Sequence, residues 1–456
     1  MSSFSRNINF ELTLFPVFLF KEVKKRIYLN AISECCRVFL ALFLTYRGES
    51  GMIIGELPLI GVVGKPNSGK TTFWNSATGG NAKTSPIPFT TIEPNEGVAF
   101  VTRPCIEKEF NVTCNPRSGL CIEGIRHIPI KLLDVAGLVP DAWKGRGLGN
   151  QFLDHLRQAE VLLHIIDASG RFDADGNDLG RVGAWDPIKD VKFLENEISR
   201  WLWQIIKRDW ERLSRRVEAE KRDLVEVLAT RLSGLAVTEE HIKKAIELTD
   251  LNPEKPTSWS DDDLLRFAIN LRKVRMPIVI VANKVDIPKA RENVDRMREA
   301  GIECIPASAL AELILIKLTE KGAIKYIRGS NSFEVLNPNL LSSKEKKALE
   351  MIEEILDIYG STGVQKAINT AVFDVAKMIV VYPVADEKNL TDKQGRVLPD
   401  AILVRQGTTL EEFAGMIHSD FAKTLLYGID ARTKRKLSKN YVLKDNDVIR
   451  LVVAAR

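Results

Sequence analysis

The sequence predicts an α/β protein with a mainly parallel sheet, a helical insertion and a smaller strand-rich C-terminal module. Three observations carry that prediction. Short apolar runs (ELPLIGVVG, HIPIKLLD, VLLHIID and MPIVIVAN) recur between helical segments, as buried parallel strands do. From Pro187 to Leu235 the chain is densely charged, poor in glycine and helical in its spacing. From about Met378 the texture changes to short strands, KMIVVYPV, PDAILVRQG and DNDVIRLVVAA, bracketing one helix, TTLEEFAGMIHSDFAK.

The 456 residues allow about three domains. With 65 basic and 60 acidic residues the charge permits a nucleic-acid partner without arguing for one. The six cysteines, at 35, 36, 105, 114, 121 and 304, are too few and too scattered for a disulfide scaffold, which points to a reducing, cytoplasmic setting. Two apolar runs in the first fifty residues, Phe10 to Phe20 and Val38 to Tyr46, fall short of the roughly 18 residues a transmembrane helix needs. The first also lacks the flanks of a signal peptide. This segment reads as a non-essential extension ahead of a start near Met52, or as a membrane-surface anchor.

The first strand ends at Gly64, and Gly64-Lys65-Pro66-Asn67-Ser68-Gly69-Lys70-Thr71 fits GxxxxGK[ST]. Two glycines let the backbone fold tightly, so that its N–H groups converge on phosphate oxygens. Lys70 would reach the β- and γ-phosphates and the Thr71 hydroxyl a Mg²⁺ ion, with Thr72 opening a helix whose N-terminus faces the anion. The next expected parts follow in order. The strand Ile128 to Leu133 ends in Asp134-Val-Ala-Gly137, where the carboxylate can hold Mg²⁺ through water and the Gly137 amide can donate to the γ-phosphate. Between them the loop Ser85 to Gly97 carries Thr90 and Thr91, either of which could ligate Mg²⁺ while a γ-phosphate is present.

The run Val161 to Ser169 is a third strand, in which His164 reads as a packed histidine. The fourth ends in Asn283-Lys284-Val-Asp286, an NKxD pattern. A carboxylate there can accept two N–H bonds from the guanine edge, which adenine cannot supply. Asn283 would contact the base, the Lys284 stem would cover the ring face, and the Ser308-Ala309 backbone would meet the guanine carbonyl. GTP and GDP are the ligands this pattern predicts.

These stretches resemble the Obg-type branch of P-loop GTPases, and within it the archaeal YchF-like GTP-binding proteins, from about Leu59 to the C-terminus. The resemblance rests on GxPNxGKT, PFTTIEPN, DVAGLV and GRGLGNQFLDHLRQAEVLLHIIDAS. It implies Thr91 as the switch threonine. It also implies a C-terminal TGS-type β-grasp module, and with it contact to RNA or the ribosome; nothing points to DNA specificity. The domain reading is therefore an extension at 1–57, an Obg-type nucleotide domain at 58–377 with its insertion at about 186–272, and a TGS-like module at 378–456.

Typical YchF proteins lack the guanine-specifying aspartate and prefer ATP, whereas this chain has an intact NKVD. Leu138 stands where Ras-like enzymes place the water-orienting glutamine, so hydrolysis should be slow. Asn67 matches an asparagine that coordinates K⁺ in related GTPases; the plainer reading is that it shapes the loop. Catalysis would then rest on Lys70, Thr91 and Gly137, and metal binding on Thr71, Thr91 and Asp134. Two rival readings are a YchF-type ATPase and an RNA- or ribosome-binding module in which the nucleotide is only structural.

In the insertion, Trp203, Ile206, Trp210, Leu213 and Val217 alternate by three and four residues, predicting a helical hairpin or coiled-coil seam. Arg432, Lys434, Arg435, Lys436 and Lys439 form a basic cluster that could meet phosphates or simply face solvent. Cys105, Cys114 and Cys121, with His127 beyond, could bind zinc or form a redox pair, but they lack any CxxC spacing and read most simply as ordinary cysteines.

Overall fold

The computed structural model describes residues 57–79, 95–135 and 159–454. Thr90, Thr91, Gly137, Leu138 and the N-terminal segment, for which the sequence raises expectations, lie outside these residues.

The strands β1 (Leu59–Val63), β2 (Asn95–Pro104), β3 (Leu120–Ile122), β4 (Ile125–Asp134), β5 (Val161–Asp167), β6 (Ile278–Asn283) and β7 (Ile305–Ala307) form one seven-stranded sheet. Its order is β2-β4-β1-β5-β6-β7, with β3 paired to β4. The pairings from β4 through β1, β5 and β6 to β7 are parallel, and β2 and β3 run antiparallel to β4. The central strand β5 is buried at all seven positions, which is why its sequence is continuously apolar instead of alternating. His164 sits in it, paired in register with Val63 and Ile280.

One face of this sheet carries the helical layer: α2 (Ile188–Lys207), α3 (Trp210–Glu220), α4 (Leu224–Leu232), α5 (Glu239–Thr249) and α6 (Asp261–Arg275), numbered after the helix α1 (Lys70–Thr78). Their buried residues, among them Leu194, Ile198, Leu202, Leu228, Ile242 and Phe267, form one cluster with Val63, Leu133 and Leu162 of the sheet. The expected coiled-coil seam is not there. The chain breaks at Asp209, whose φ of 59° lies in the left-handed region, so the five seam residues divide between two helices. Trp210 turns inward to stack on Trp259, with centroids 5.3 Å apart at 26°, while Trp203 stays partly exposed. Burying Trp210 on Trp259, which in turn packs on Phe267, yields a compact bundle, an outcome that a three-four spacing alone does not exclude.

Near the β6–β7 edge, α7 (Pro288–Glu299), α8 (Ala309–Glu320) and α9 (Ser343–Tyr359) share a further cluster, and β8 (Ile324–Tyr326) and β9 (Phe333–Val335) form a hairpin. Helix α10 (Val364–Asn369) then ties to β2: Gln365 Nε2 donates to the Phe100 carbonyl, and Asn369 Oδ1 accepts the Thr102 amide.

The C-terminal sheet holds β10 (Met378–Val384), β11 (Ile402–Arg405), β12 (Leu425–Asp430), β13 (Lys436–Leu437) and β14 (Asp447–Val453) in the order β11-β10-β14-β12-β13. Its central pair, β10 and β14, is parallel. The predicted helix here divides at His418 into Leu410–Ile417 and Ser419–Thr424. Val380, Tyr382 and Val448 of this sheet join Ile60, Ile130 and Val161 of the first in a single core. The two sheets are therefore packed together and not merely tethered.

Candidate functional site

The site lies at the C-terminal ends of the parallel strands, where an open α/β sheet leaves a crevice. The loop after β1 uses both its glycines. Gly64 has φ 152°, and a Cβ there would lie 2.3 Å from the Ile165 carbonyl oxygen; Gly69 has φ 95°, and its Cβ would lie 2.3 Å from Asn283 Nδ2. Gly69 also leads straight into α1 with no side-chain cap, so the first helical N–H groups face the loop mouth.

Lys70 is buried and its Nζ donates to the Lys65 carbonyl at 2.9 Å. Burial lowers its pKa to about 8, against the opposing attraction of Asp134. The Thr71 hydroxyl reaches Asp134 Oδ2 at 3.4 Å, and burial raises the Asp134 carboxyl above its ordinary value. A threonine hydroxyl beside a partly desolvated carboxylate is a hard, oxygen-only donor pair, which fits Mg²⁺. P-loop GTPases generally use that ion with their nucleotide. Ser68 is fully buried, and its Oγ has no hydrogen-bond partner among the described residues. Thr72 stands half-buried on the first turn of α1.

The loop after β6 is stitched to the glycine-rich loop after β1. Asn283 Nδ2 donates to the Ser68 carbonyl at 3.0 Å, and Asn283 Oδ1 accepts the Ala309 N–H at 3.1 Å. Lys284, in a left-handed conformation with φ 71°, donates to the Asn67 carbonyl at 2.7 Å. Asp286 Oδ1 accepts from Ser308 Oγ at 2.7 Å, and the same Ser308 Oγ caps α8 through the Ala311 N–H. The structure thus brings Gly64 through Thr72, Asp134, Asn283, Lys284, Asp286, Ser308 and Ala309 together.

Several neighbours gave no motif signal. Asp167, at the end of β5, is fully buried and pairs with Lys284 Nζ at 3.2 Å; its place at a strand end beside the motif strands was the available clue. The segment after β5 folds onto the loop. Lys65 Nζ donates to the Phe172 carbonyl and pairs with Asp190 at 2.8 Å, and Asn67 Nδ2 donates to the Gly176 carbonyl at 3.0 Å. Burial pushes the Asp190 carboxyl up to about 6, with Lys65 pulling the other way. Thr362 and Gly363 back the Ser308 turn: the Thr362 carbonyl accepts the Ser308 N–H, and a Cβ at Gly363 would lie 2.0 Å from the Pro306 oxygen. Arg328 Nη1 donates to the Ser76 and Ala77 carbonyls at the end of α1.

Comparison with known proteins identifies the family. Residues 59–196 match the 50S ribosome-binding GTPase family, residues 281–386 the Obg-like GTPase YGR210-like, G4 motif-containing domain, and residues 388–453 the TGS domain. An uncharacterized GTP-binding protein of Methanocaldococcus jannaschii is 46% identical over 402 residues, covering 88% of this chain and 100% of the relative. The ribosome-binding ATPase YchF of Bacillus subtilis is 26% identical, covering 85% of this chain and 97% of that protein. The crystal structure of a GTP-binding protein from Pyrococcus horikoshii OT3 superposes with TM-score 0.68 at 37% identity, covering 87% of this chain and 99% of that one. The chain belongs to the YchF/Obg-like family of GTP-binding P-loop proteins that carry a C-terminal TGS domain.

Proposed function

We propose that the protein is a Mg²⁺-dependent GTPase that converts GTP slowly to GDP and phosphate and changes conformation with its nucleotide on the ribosome or its RNA. The observation that carries this reading is Asp286, oriented by Ser308 in a loop that Asn283 and Lys284 tie to the phosphate-binding loop. Base and phosphate contacts then sit on one rigid unit, which lowers the cost of ordering the site around its ligand. A carboxylate held there accepts the two N–H groups of the guanine edge. Both polar atoms of Asn283 are occupied by backbone groups, so its role is to hold the two loops together more than to touch the base.

Lys70 and the loop amides would carry the β- and γ-phosphate charge. Thr71 and Asp134, with Thr91, would hold Mg²⁺, which neutralises charge on the phosphate oxygens when bound. The Gly137 amide would face the γ-phosphate. Leu138 directly follows it and has no group that can orient water, which supports slow turnover. Asn67 Nδ2 donates to the Gly176 carbonyl, which supports a role in shaping the loop, while its Oδ1 remains the atom that could meet a K⁺ ion; faster turnover in K⁺ than in Na⁺ would favour that second role. The ribosome enters through the name of the Bacillus relative and the matched TGS domain.

The test is competition against fluorescent GDP in Mg²⁺. GTP and GDP should displace the probe and ATP should not; equal displacement by ATP would assign the chain to the ATP-using relatives. Lys70→Ala should weaken GTP binding at least about tenfold, and unchanged affinity would refute the phosphate assignment.

A further inference from the structure

Between β2 and β4 the chain makes an excursion, residues 105–124, that the nucleotide site does not use. Three thiols and a carboxylate converge there from four separate places: Cys105 just after β2, Glu107 in a 3-10 turn, Cys114 in the following loop and Cys121 in β3. Their ligand atoms all lie within 4.8 Å of one another. Cys105 Sγ and Cys114 Sγ are 3.8 Å apart. A disulfide needs about 2.05 Å. Two thiolates on one tetrahedral zinc, each at about 2.3 Å, stand about 3.8 Å apart.

We propose that Cys105, Cys114, Cys121 and the Glu107 carboxylate form a structural site for one thiophilic divalent cation of the zinc class. The surroundings suit it. Glu107 Oε2 accepts the Cys114 N–H at 2.9 Å, which fixes the carboxylate as ligating carboxylates usually are fixed. Three thiolates and one carboxylate exceed the charge of a dication, and the fully buried Arg126 guanidinium lies 3.8 Å from Cys114 Sγ to offset the excess. Four protein ligands close the coordination sphere, which marks a structural site and not a catalytic one.

What the metal would hold is the strap on which the C-terminal sheet docks. The Asn115 N–H donates to the Val397 carbonyl and the Arg117 N–H to the Pro399 carbonyl, while Arg126 Nη1 donates to the Leu398 carbonyl. Arg117 and Ser118 both bond Asp400. The excursion has few buried apolar residues of its own, so a crosslink among its three thiols would fix its shape.

The experiment uses the full chain, purified without a metal-affinity step. Metal analysis should find about one zinc per chain. Replacement by Co²⁺ should give a thiolate-to-cobalt charge-transfer band and d–d absorption of tetrahedral intensity. Cys121→Ser should lower metal content at least about tenfold while fluorescent GDP binding persists; Cys304→Ser, remote from the cluster, should change neither. Because the cobalt spectrum is read on the unsubstituted protein, a variant that fails to fold does not decide the matter. Substoichiometric zinc after growth in zinc-supplemented medium, together with no cobalt band, would overturn the proposal. So would a Cys105–Cys114 disulfide in protein alkylated at lysis. Neither result bears on nucleotide choice, so this proposal and the GTPase reading stand or fall separately.

Discussion

In the proposed site Lys70 would meet the phosphates and Asp286 the base, and each makes a prediction of its own. With a pKa lowered by burial to about 8 in the fold against 10.5 unfolded, Lys70 sheds its proton early. Phosphate favours the charged form, so GDP affinity should be full below pH about 8 and fall above it, approaching tenfold per unit. Lys70→Arg stays charged and should lose this slope, which titrations across that range would check. Asp286→Asn removes a charged acceptor from a paired contact. A loss of about 3 kcal/mol, roughly a hundredfold in GTP affinity by calorimetry, is the expected result. At this scale the sequence was most legible, because phosphate and guanine recognition require particular residue types at particular spacings. The Asp167–Lys284 pair and the Thr362–Ser308 contact join residues far apart in the chain and leave no spacing to read.

Elements carry a second set of expectations. Gly69 sits at φ 95° with its missing Cβ directed at Asn283, so Gly69→Ala should both strain the turn and push Asn283 off Ser68. Nucleotide binding should collapse while circular dichroism stays native. In the helical layer the opposite split is expected. Trp259 is buried between Trp210 and Phe267, and its Nε1 donates to the Asn252 carbonyl. Trp259→Ala should cost about 3–5 kcal/mol in chemical denaturation and leave GDP affinity nearly unchanged. The strands of the main sheet were readable from their apolar runs. Strand β2 was not, because an antiparallel edge strand with Glu96, Thr102 and Arg103 alternates weakly. The helix ends at Asp209 and His418 were hidden for a related reason: neither is a glycine or proline, and tertiary packing imposes the break.

At the scale of the whole molecule, two buried histidines tie stability to pH. Burial lowers His127 to about 4 and His164 to about 3 from 6.5, with nearby Lys70 and Lys65 also disfavouring a charged His164. The unfolded chain therefore binds more protons between those values. The histidine contribution is complete above pH 6.5 and declines as pH falls through the window, by up to about 1.4 kcal/mol per unit for each histidine, while the Asp190 carboxyl, raised to about 6 by burial, offsets about one histidine's share below pH 6. Thermal melts from neutral to mildly acid pH should show the decline, and His164→Leu should flatten it by one histidine's share. The same scale holds the contact between the sheets. Arg103 pairs with Asp445 and Arg432 with Glu109 across it, so two members of the charged surface already serve the interface. Arg432 belongs to the cluster read from sequence as a nucleic-acid candidate, and Lys434 donates to the Glu387 carbonyl.

The sequence by itself determined the fold class, the glycine-rich loop after the first strand, the NKxD loop with its Asp286 carboxylate and the C-terminal module, because each is encoded locally by residue type, spacing or apolar period. Tertiary structure alone decided how the motif loops are stitched together, where the helical insertion folds back, and that Cys105, Glu107, Cys114 and Cys121 meet. Those outcomes depend on which distant backbone groups close packing brings within bonding distance. A chain of irregular loops can place four ligands at one point without any repeat that a linear reading would register.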